Sequence, residues 1–465
     1  MKKKLGFCSI VLLTINSVIG TGIFLSPGTV VASTGQQALL VYLLAAVFAS
    51  VLAITFAAAA KYVSKGGAAY AYAKAAFGDN VGFYVGITRY IAASIAWGVM
   101  GTAVVKTVLG IFGLDNTNMT YITLGFICLM AVLLLVNIFG TRIFEVINNL
   151  STIGKVGALV TTIVVGLAIV LFGNVNQFGT ISSIMNSAGE PLGSNLDMGA
   201  YCMAIIAAFY AFTGFESVAS GSEDMEAPEK NLPRAIPLAI AIVAAIYIGI
   251  VGVAMMINPE AIVSTTEVVA LAEVFDNNII RSMIVIGALV SMFGINVAAS
   301  FHTPRILEAM ALQGQIPSDF TKRTENGFPL TSFLITIGIA ILLPMAFGFN
   351  MSSIIVLSSI SRFIQFIIVP LAVIVFYLGK ERGEALQDVK KNPVVDVFIP
   401  SLALAFTLLL LYKFSWAQQF TITLENGEVV ANVFAITAMV IGYVILPIVL
   451  MIWKNSQTKV ATATN

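Results

Sequence analysis

The chain has 465 residues, 58% hydrophobic and 10% charged, with 24 Lys+Arg against 23 Asp+Glu and a formal net charge of +1. With a mean hydropathy of +0.97, this composition excludes a soluble globular domain and indicates an integral membrane protein. The basic residues are scattered over many loops, so nothing favours nucleic acid as a partner.

Twelve apolar runs of about 18–27 residues are long enough to span a bilayer. They start near Ile10, Ala38, Val81, Tyr121, Val146, Met198, Ala235, Ile279, Leu330, Ser353, Val394 and Val433. The first is too long for a cleavable signal peptide and lacks a small-residue cleavage site. Placing both termini in the cytoplasm puts Lys2, Lys3, Lys4, Arg142, Arg305 and most other basic residues inside, leaving Lys106, Arg281 and Lys413 opposite. That asymmetry is the positive-inside pattern of a multi-pass cytoplasmic-membrane protein. Cys8, Cys128 and Cys202 have no paired spacing, so neither a disulfide framework nor a metal site is suggested.

Within the first run lies Asn16-Ser-Val-Ile-Gly-Thr-Gly-Ile-Phe24, followed by Pro27. A spanning helix should satisfy its own backbone, because hydrocarbon supplies no substitute partner. Gly20 and Gly22 weaken the helix at mid-depth, which is tolerable where the freed N–H and C=O groups line a cavity and bind something. The competing explanation is close helix packing through small residues. Next in chain order, Lys61 to Gly78 reads as a short amphipathic helix behind a Gly66-Gly67 turn, lying on the membrane face. A matching break follows in the sixth run, at Phe209-Tyr-Ala-Phe-Thr-Gly-Phe-Glu216. The two breaks are five runs apart, and that odd spacing reverses direction and suggests inverted repeats of spans one to five and six to ten. The expected organisation is a cytoplasmic N-terminus (1–9), a transport core (10–378), two further spans (394–453) and a polar, disordered tail (454–465).

Few ionisable groups remain inside the spans: Arg89, Lys155, Glu216, Arg362 and His302. Each costs about 2.5–3.5 kcal/mol at the bilayer centre and so needs a partner or a task. Lys155 lies ten residues beyond Glu145, or about 15 Å into the span at 1.5 Å per residue. Snorkelling from there is difficult, and its ammonium is expected on the carbonyls of a broken helix. Glu216 either ties the second break down or carries a proton, and Arg362, near mid-depth in the tenth span, is expected to pair with a carboxylate or backbone carbonyls, with substrate contact as the alternative. Arg89 reads as a gate or packing residue. His302 reads as structural, without a second histidine for metal. The aromatics Phe209, Tyr210, Phe212 and Phe215 surround the second break, where at least one would cover a bound substrate.

At these residues the chain resembles the amino acid–polyamine–organocation family of transporters. The resemblance runs through NSVIGTGIFLSPG, GGAAYAYAKAAFG, AFYAFTGFES, APEKNLPRAI and RILEAMALQGQIP, in family order over nearly the whole chain. It implies an all-α, twelve-helix, five-plus-five inverted-repeat (LeuT-like) fold with broken first and sixth helices, and alternating access around them. By the same resemblance, amide groups around Ile19, Gly20, Thr21 and Gly22 receive a substrate carboxylate at a helix N-terminus. Carbonyls around Tyr210, Ala211, Phe212 and Thr213, with Gly214 at the break, accept the α-ammonium. Trp97, Met100 and Ser358 are side-chain pocket candidates, and Phe212 or Tyr210 is the aromatic gate. Lys155 stands where sodium-independent relatives carry a lysine, which implies proton coupling or exchange. Tyr247 aligns with a tyrosine of the small-neutral branch.

The expectation is a transporter of free α-amino acids without cofactor, catalytic residue or required protein partner, its partners being the amino acid, the bilayer and protons. A neutral substrate is the default. Arg362 is not a general family feature and raises an acidic one. A membrane-embedded enzyme would need clustered acids, bases or metal ligands, and a channel would need a filter or ring-forming repeat.

Overall fold

The computed structural model describes residues 4–463 apart from 21, 186–188, 195, 265–269, 347–350, 384, 387, 415 and 424–427. The side chains of 351–361, of 457–463 and of a few further helical positions also lie outside the described residues. The chain is helical almost throughout. In order run α1 (Phe7–Val18), α2 (Gly22–Thr34), α3 (Ala38–Tyr62), α4 (Ala69–Phe77), α5 (Asp79–Ile111) and α6 (Met119–Ile138). There follow α7 (Thr141–Phe172), α8 (Met198–Tyr210), a 3-10 segment (Phe215–Asp224) kinked at Gly221, and α9 (Pro228–Ile257). After the short α10 (Pro259–Ser264) and α11 (Ala270–Glu273) come α12 (Asn278–Leu312), α13 (Leu330–Ala346) and α14 (Met351–Leu378). The chain ends with α15 (Ile399–Lys413), α16 (Trp416–Gln419), α17 (Val433–Val440) and α18 (Leu446–Ala463). A small hairpin pairs Thr421–Thr423 antiparallel with Val429–Ala431.

Eight stretches among the described residues are long and apolar enough to cross a membrane. Four shorter apolar helices, Phe7–Val18, Leu330–Leu342, Arg362–Leu378 and Ile441–Ser456, accompany them. Helix starts follow local chemistry. Asn118 and Asn277 cap α6 and α12 by accepting from the N–H groups two and three residues on. Asp197 caps α8 through the Ala200 N–H at 2.7 Å, and Pro228 opens α9, where its missing N–H costs nothing.

Packing sets the site. α12 lies against α5 and α7, α1 against α7 and α9, α14 against α5 and α3, and α8 against α2, α3 and α15. On one side of the breaks a charged cluster ties the elements together. Asp224 accepts from Arg305 Nε at 2.7 Å and from Arg323 Nη1 at 2.8 Å, and Arg323 Nη2 reaches Glu308 at 2.9 Å. Burial opposes the charge on Arg323, but Glu308 and Asp224 outweigh it and push its pKa above the ordinary guanidinium value. Leu5 joins the same assembly through two backbone bonds: its N–H donates to Asp224 O and its carbonyl accepts from Glu226, both at 2.9 Å.

Two expectations are corrected here. The helix expected on the membrane face is present as α4, but seven of its nine residues are buried, and it packs on α5 and α14. Small alanines let α4 sink between neighbours, and tyrosines fill the gaps. The tail expected to be disordered is instead helical to Ala463. Lys454, at its start, stands 5.1 Å from the Phe83 ring centroid, which anchors that turn to α5.

Candidate functional site

The first break begins where α1 leaves helical geometry at Ile19, whose ψ is 101°. A helix end leaves carbonyls without partners, and here the chain supplies donors to them. The Lys155 ammonium, fully buried on α7, donates to Asn16 O at 3.3 Å, to Ser291 O at 3.2 Å and to Ile19 O. Ser291 Oγ adds bonds to Ile19 O at 3.1 Å and Gly20 O at 3.4 Å. Asn16 Nδ2 binds Asn148 Oδ1 at 2.7 Å and Gly294 O at 2.9 Å, joining α1 to α7 and α12. Gly294 is required by this approach, since a Cβ there would lie 2.6 Å from Asn16 Oδ1. Across the gap, α2 restarts at Gly22 with the amide end of a helix. Thr21 lies outside the described residues.

The second break follows Tyr210. Ala211 to Gly214 form turns, and the 3-10 segment starts at Phe215. Gly214 has φ +124°, and a Cβ there would lie 2.0 Å from Ser17 O, so both conformation and space demand glycine. Its N–H donates to Glu216 Oε2 at 2.7 Å. On the carbonyl side, Ala211 O accepts from Tyr247 Oη at 3.0 Å, and Tyr210 O accepts from the Thr213 hydroxyl at 2.8 Å. The two breaks touch: a Cβ on Gly22 would stand 2.7 Å from Ala211 Cα.

Two cavities meet at this contact. A small one of about 50 Å³ is walled by Gly20, Gly22, Met100, Ala211 and Gly214, among others. A larger one of about 330 Å³ extends along α2 and α8 past Ser26, Phe209 and Phe366. Gly22, Tyr210, Thr213 and Arg362 line both, so these four form the partition. Arg362 Nε holds Glu216 Oε1 at 3.1 Å, and its guanidinium lies 5.5 Å from the Tyr210 ring centroid. Arg362 Nη1 is buried without a hydrogen-bond partner.

Several sequence candidates sit elsewhere. Trp97 is fully buried against Phe333 of α13, with ring centroids 5.7 Å apart, and lines neither cavity. The face of α5 that reaches the cavity carries Arg89, Ala93, Ala96 and Met100, a 4-3-4 helical stripe that turns Trp97 aside. Phe212 is also fully buried, 5.0 Å from the Tyr247 ring centroid, so of the two gate candidates only Tyr210 reaches the cavities. Ile19 contributes its carbonyl, while Lys155, Glu216 and Tyr247 stand behind the walls. The side chain of Ser358 lies outside the described residues.

The structure also brings in residues read differently or passed over. Arg89, read as gate or packing, is 4% exposed, lines the small cavity and donates from Nη2 to Ser217 Oγ, while its Nε has no partner. His302 reaches the same wall. Asn16 and Ser291 were legible only as polar residues inside apolar runs, a signal that in hydrocarbon already asks for a partner. Among the described residues no group of His, Cys, Asp and Glu could hold a metal ion.

The amino acid permease family matches residues 5–453. An uncharacterized transporter of Mycobacterium tuberculosis (strain H37Rv) is 41% identical over 455 residues, spanning 96% of this chain and 93% of its own length. The serine/threonine exchanger SteT of Bacillus subtilis (strain 168) is 28% identical over 421 residues, 87% of this chain and 89% of its own. The branched-chain amino acid permease BcaP of the same strain is 25% identical over 461 residues, 92% of each.

Proposed function

The chain belongs to the amino acid permease family and is a multi-pass membrane transporter rather than an enzyme, and on that premise we propose that its two helix breaks hold the charged ends of a free α-amino acid. The α-carboxylate sits at the amide end of α2 around Gly20, Thr21 and Gly22, and the α-ammonium at the carbonyl end of α8 around Tyr210 to Thr213. The observation that carries this reading is the contact of Gly22 with Ala211 beside a cavity walled by both breaks. Zwitterion recognition needs an anion site and a cation site a few ångströms apart, and opposed helix ends supply that pair.

The architecture proposed is twelve spans in a five-plus-five inverted repeat, with core 10–378, spans eleven and twelve within 394–453, and both termini on the cytoplasmic side of the cell membrane. The eight long and four shorter apolar helices support the count, and the breaks in α1–α2 and after α8 support the repeat. Tyr210, at the partition, is the aromatic gate.

Transport is proposed to be sodium-independent, by proton symport or exchange. The Lys155 ammonium among the Asn16, Ile19 and Ser291 carbonyls supports this. A sodium ion about 4 Å from it would meet a repulsion of roughly 4 kcal/mol at an effective dielectric of 20. The serine/threonine exchanger SteT and the branched-chain amino acid permease BcaP support exchange as a mode and neutral side chains as a starting point.

Uptake into proteoliposomes tests the reading. Saturable, stereoselective uptake should persist when choline replaces sodium, and amino acid amides or N-acetyl derivatives should compete poorly. Equal competition by the masked compounds, or an obligatory sodium requirement, would contradict it.

A further inference from the structure

The small cavity is lined by two guanidiniums, Arg89 from α5 and Arg362 from α14, and by no carboxylate among the described residues. Glu216 stands behind the wall, 1% exposed, and bonds Arg362 through Nε. Its other oxygen takes the Gly214 N–H. One carboxylate therefore faces two fixed cations. A guanidinium stays protonated under all physiological conditions, so the excess cannot be shed as a proton. Each arginine also keeps a buried nitrogen without a partner, Arg89 Nε and Arg362 Nη1. An unsatisfied charged donor at membrane depth is costly unless something completes it.

We propose that this pair receives the side-chain carboxylate of a dicarboxylic amino acid, so that aspartate- or glutamate-like substrates are preferred over their amide isosteres. The proposal rests on the α-amino acid reading above and narrows it. The zwitterionic end of the substrate is occupied with the two helix breaks and adds no net charge. The second carboxylate supplies the missing negative charge beside the two arginines, accepting charge-assisted bonds from the guanidinium N–H groups that face the cavity. The larger cavity sharing the Arg362 and Tyr210 wall provides the space that a longer ligand needs beyond the small one.

Glutamate against glutamine and aspartate against asparagine isolate the charge, since each pair differs by one group of nearly equal size. Binding of the four amino acids, with serine and leucine alongside, is measured by thermal shift and by competition for uptake with the full chain. The expected result is that each acid binds at least tenfold more tightly than its amide. Arg362→Gln and Arg89→Gln should each collapse that ratio, with the acids losing more affinity than serine or leucine. Arg362→Lys, which keeps the charge, should retain part of the ratio. If the amides bind as well as the acids while neutral amino acids are transported, this proposal is overturned and the α-amino acid reading stands. Equal loss of every substrate in Arg362→Gln and Arg89→Gln would also overturn it, by assigning the pair to the α-carboxylate or to structure. If no amino acid binds or moves, the broader reading falls and this one with it. Should Arg362→Gln fail to fold, the wild-type ratios and Arg89→Gln still decide.

Discussion

The two interruptions of the helical backbone are closed with opposite chemistry. At the first, a cation and a hydroxyl, Lys155 and Ser291, donate to the carbonyl end of α1. At the second, an anion, Glu216, accepts from the amide of Gly214 at the far side of the break. Every broken helix leaves a carbonyl end and an amide end. Here the protein satisfies the carbonyl end of one and the amide end of the other. What remains for a ligand is the amide end of α2 and the carbonyl end of α8, partly engaged already by Tyr247 and Thr213. The capping groups thereby decide the polarity of the proposed site: carboxylate toward α2, ammonium toward α8.

This comparison can be broken most sharply at Lys155. Lys155→Ala leaves the Asn16, Ile19 and Ser291 carbonyls short of a donor, about 1–3 kcal/mol for each group left unsatisfied. Turnover in proteoliposomes should fall about 100-fold or more, with a smaller loss of membrane expression. Full activity in the variant would show that the first break needs no cation.

Glu216 comes next. Glu216→Ala strands both the Gly214 N–H and the Arg362 guanidinium, and removal of one partner of a buried pair costs about 3–5 kcal/mol. Glu216→Gln retains an oxygen for Gly214 and should lose much less. Thermal unfolding in detergent measures both, and equal destabilisation would assign the effect to charge alone. The gradient dependence of uptake in Glu216→Gln separates an anchor, which leaves it intact, from a proton carrier, which does not.

The contact between the breaks separates two glycines. A Cβ at Gly22 meets the Ala211 backbone at 2.7 Å, whereas at Gly20 the nearest atom, at 2.3 Å, is the mobile Cδ1 of Ile295. Gly22→Ala should therefore weaken substrate binding about tenfold or more and Gly20→Ala only a few-fold, because a side-chain tip yields where backbone does not. Equal effects, read by competition for uptake, would mean that the breaks are not in rigid contact. Tyr247→Phe should be mildest, removing one bond to Ala211 O at about 1 kcal/mol, a several-fold rise in apparent KM.

Much of this was legible in the sequence, for stated reasons. Glycines inside apolar runs announce interrupted helices, and Lys155 lies too far from the ends of its run to reach water, so its ammonium is expected on the carbonyls of a broken helix. Rotation about a helix axis was not legible. α5 is apolar on most sides, so nothing in its pattern says that Arg89 and Met100 turn to the cavity while Trp97 turns to α13. The same blindness hid Ser291 and Asn16, whose roles depend on α12 approaching α1 at Gly294. The burial of α4 is not legible because alanine-rich helices suit a protein interior as well as a membrane surface.

The stitch between Leu5 and the residues flanking Met225 has a practical side. It fastens the start of α1 to the end of the 3-10 segment, next to the exposed Lys4. If the proposed alternating access moves the two together, a spectroscopic label at Lys4 paired with one near Met119 of α6 would report it. A bulky fusion joined just ahead of Leu5 would crowd the two backbone bonds of this stitch.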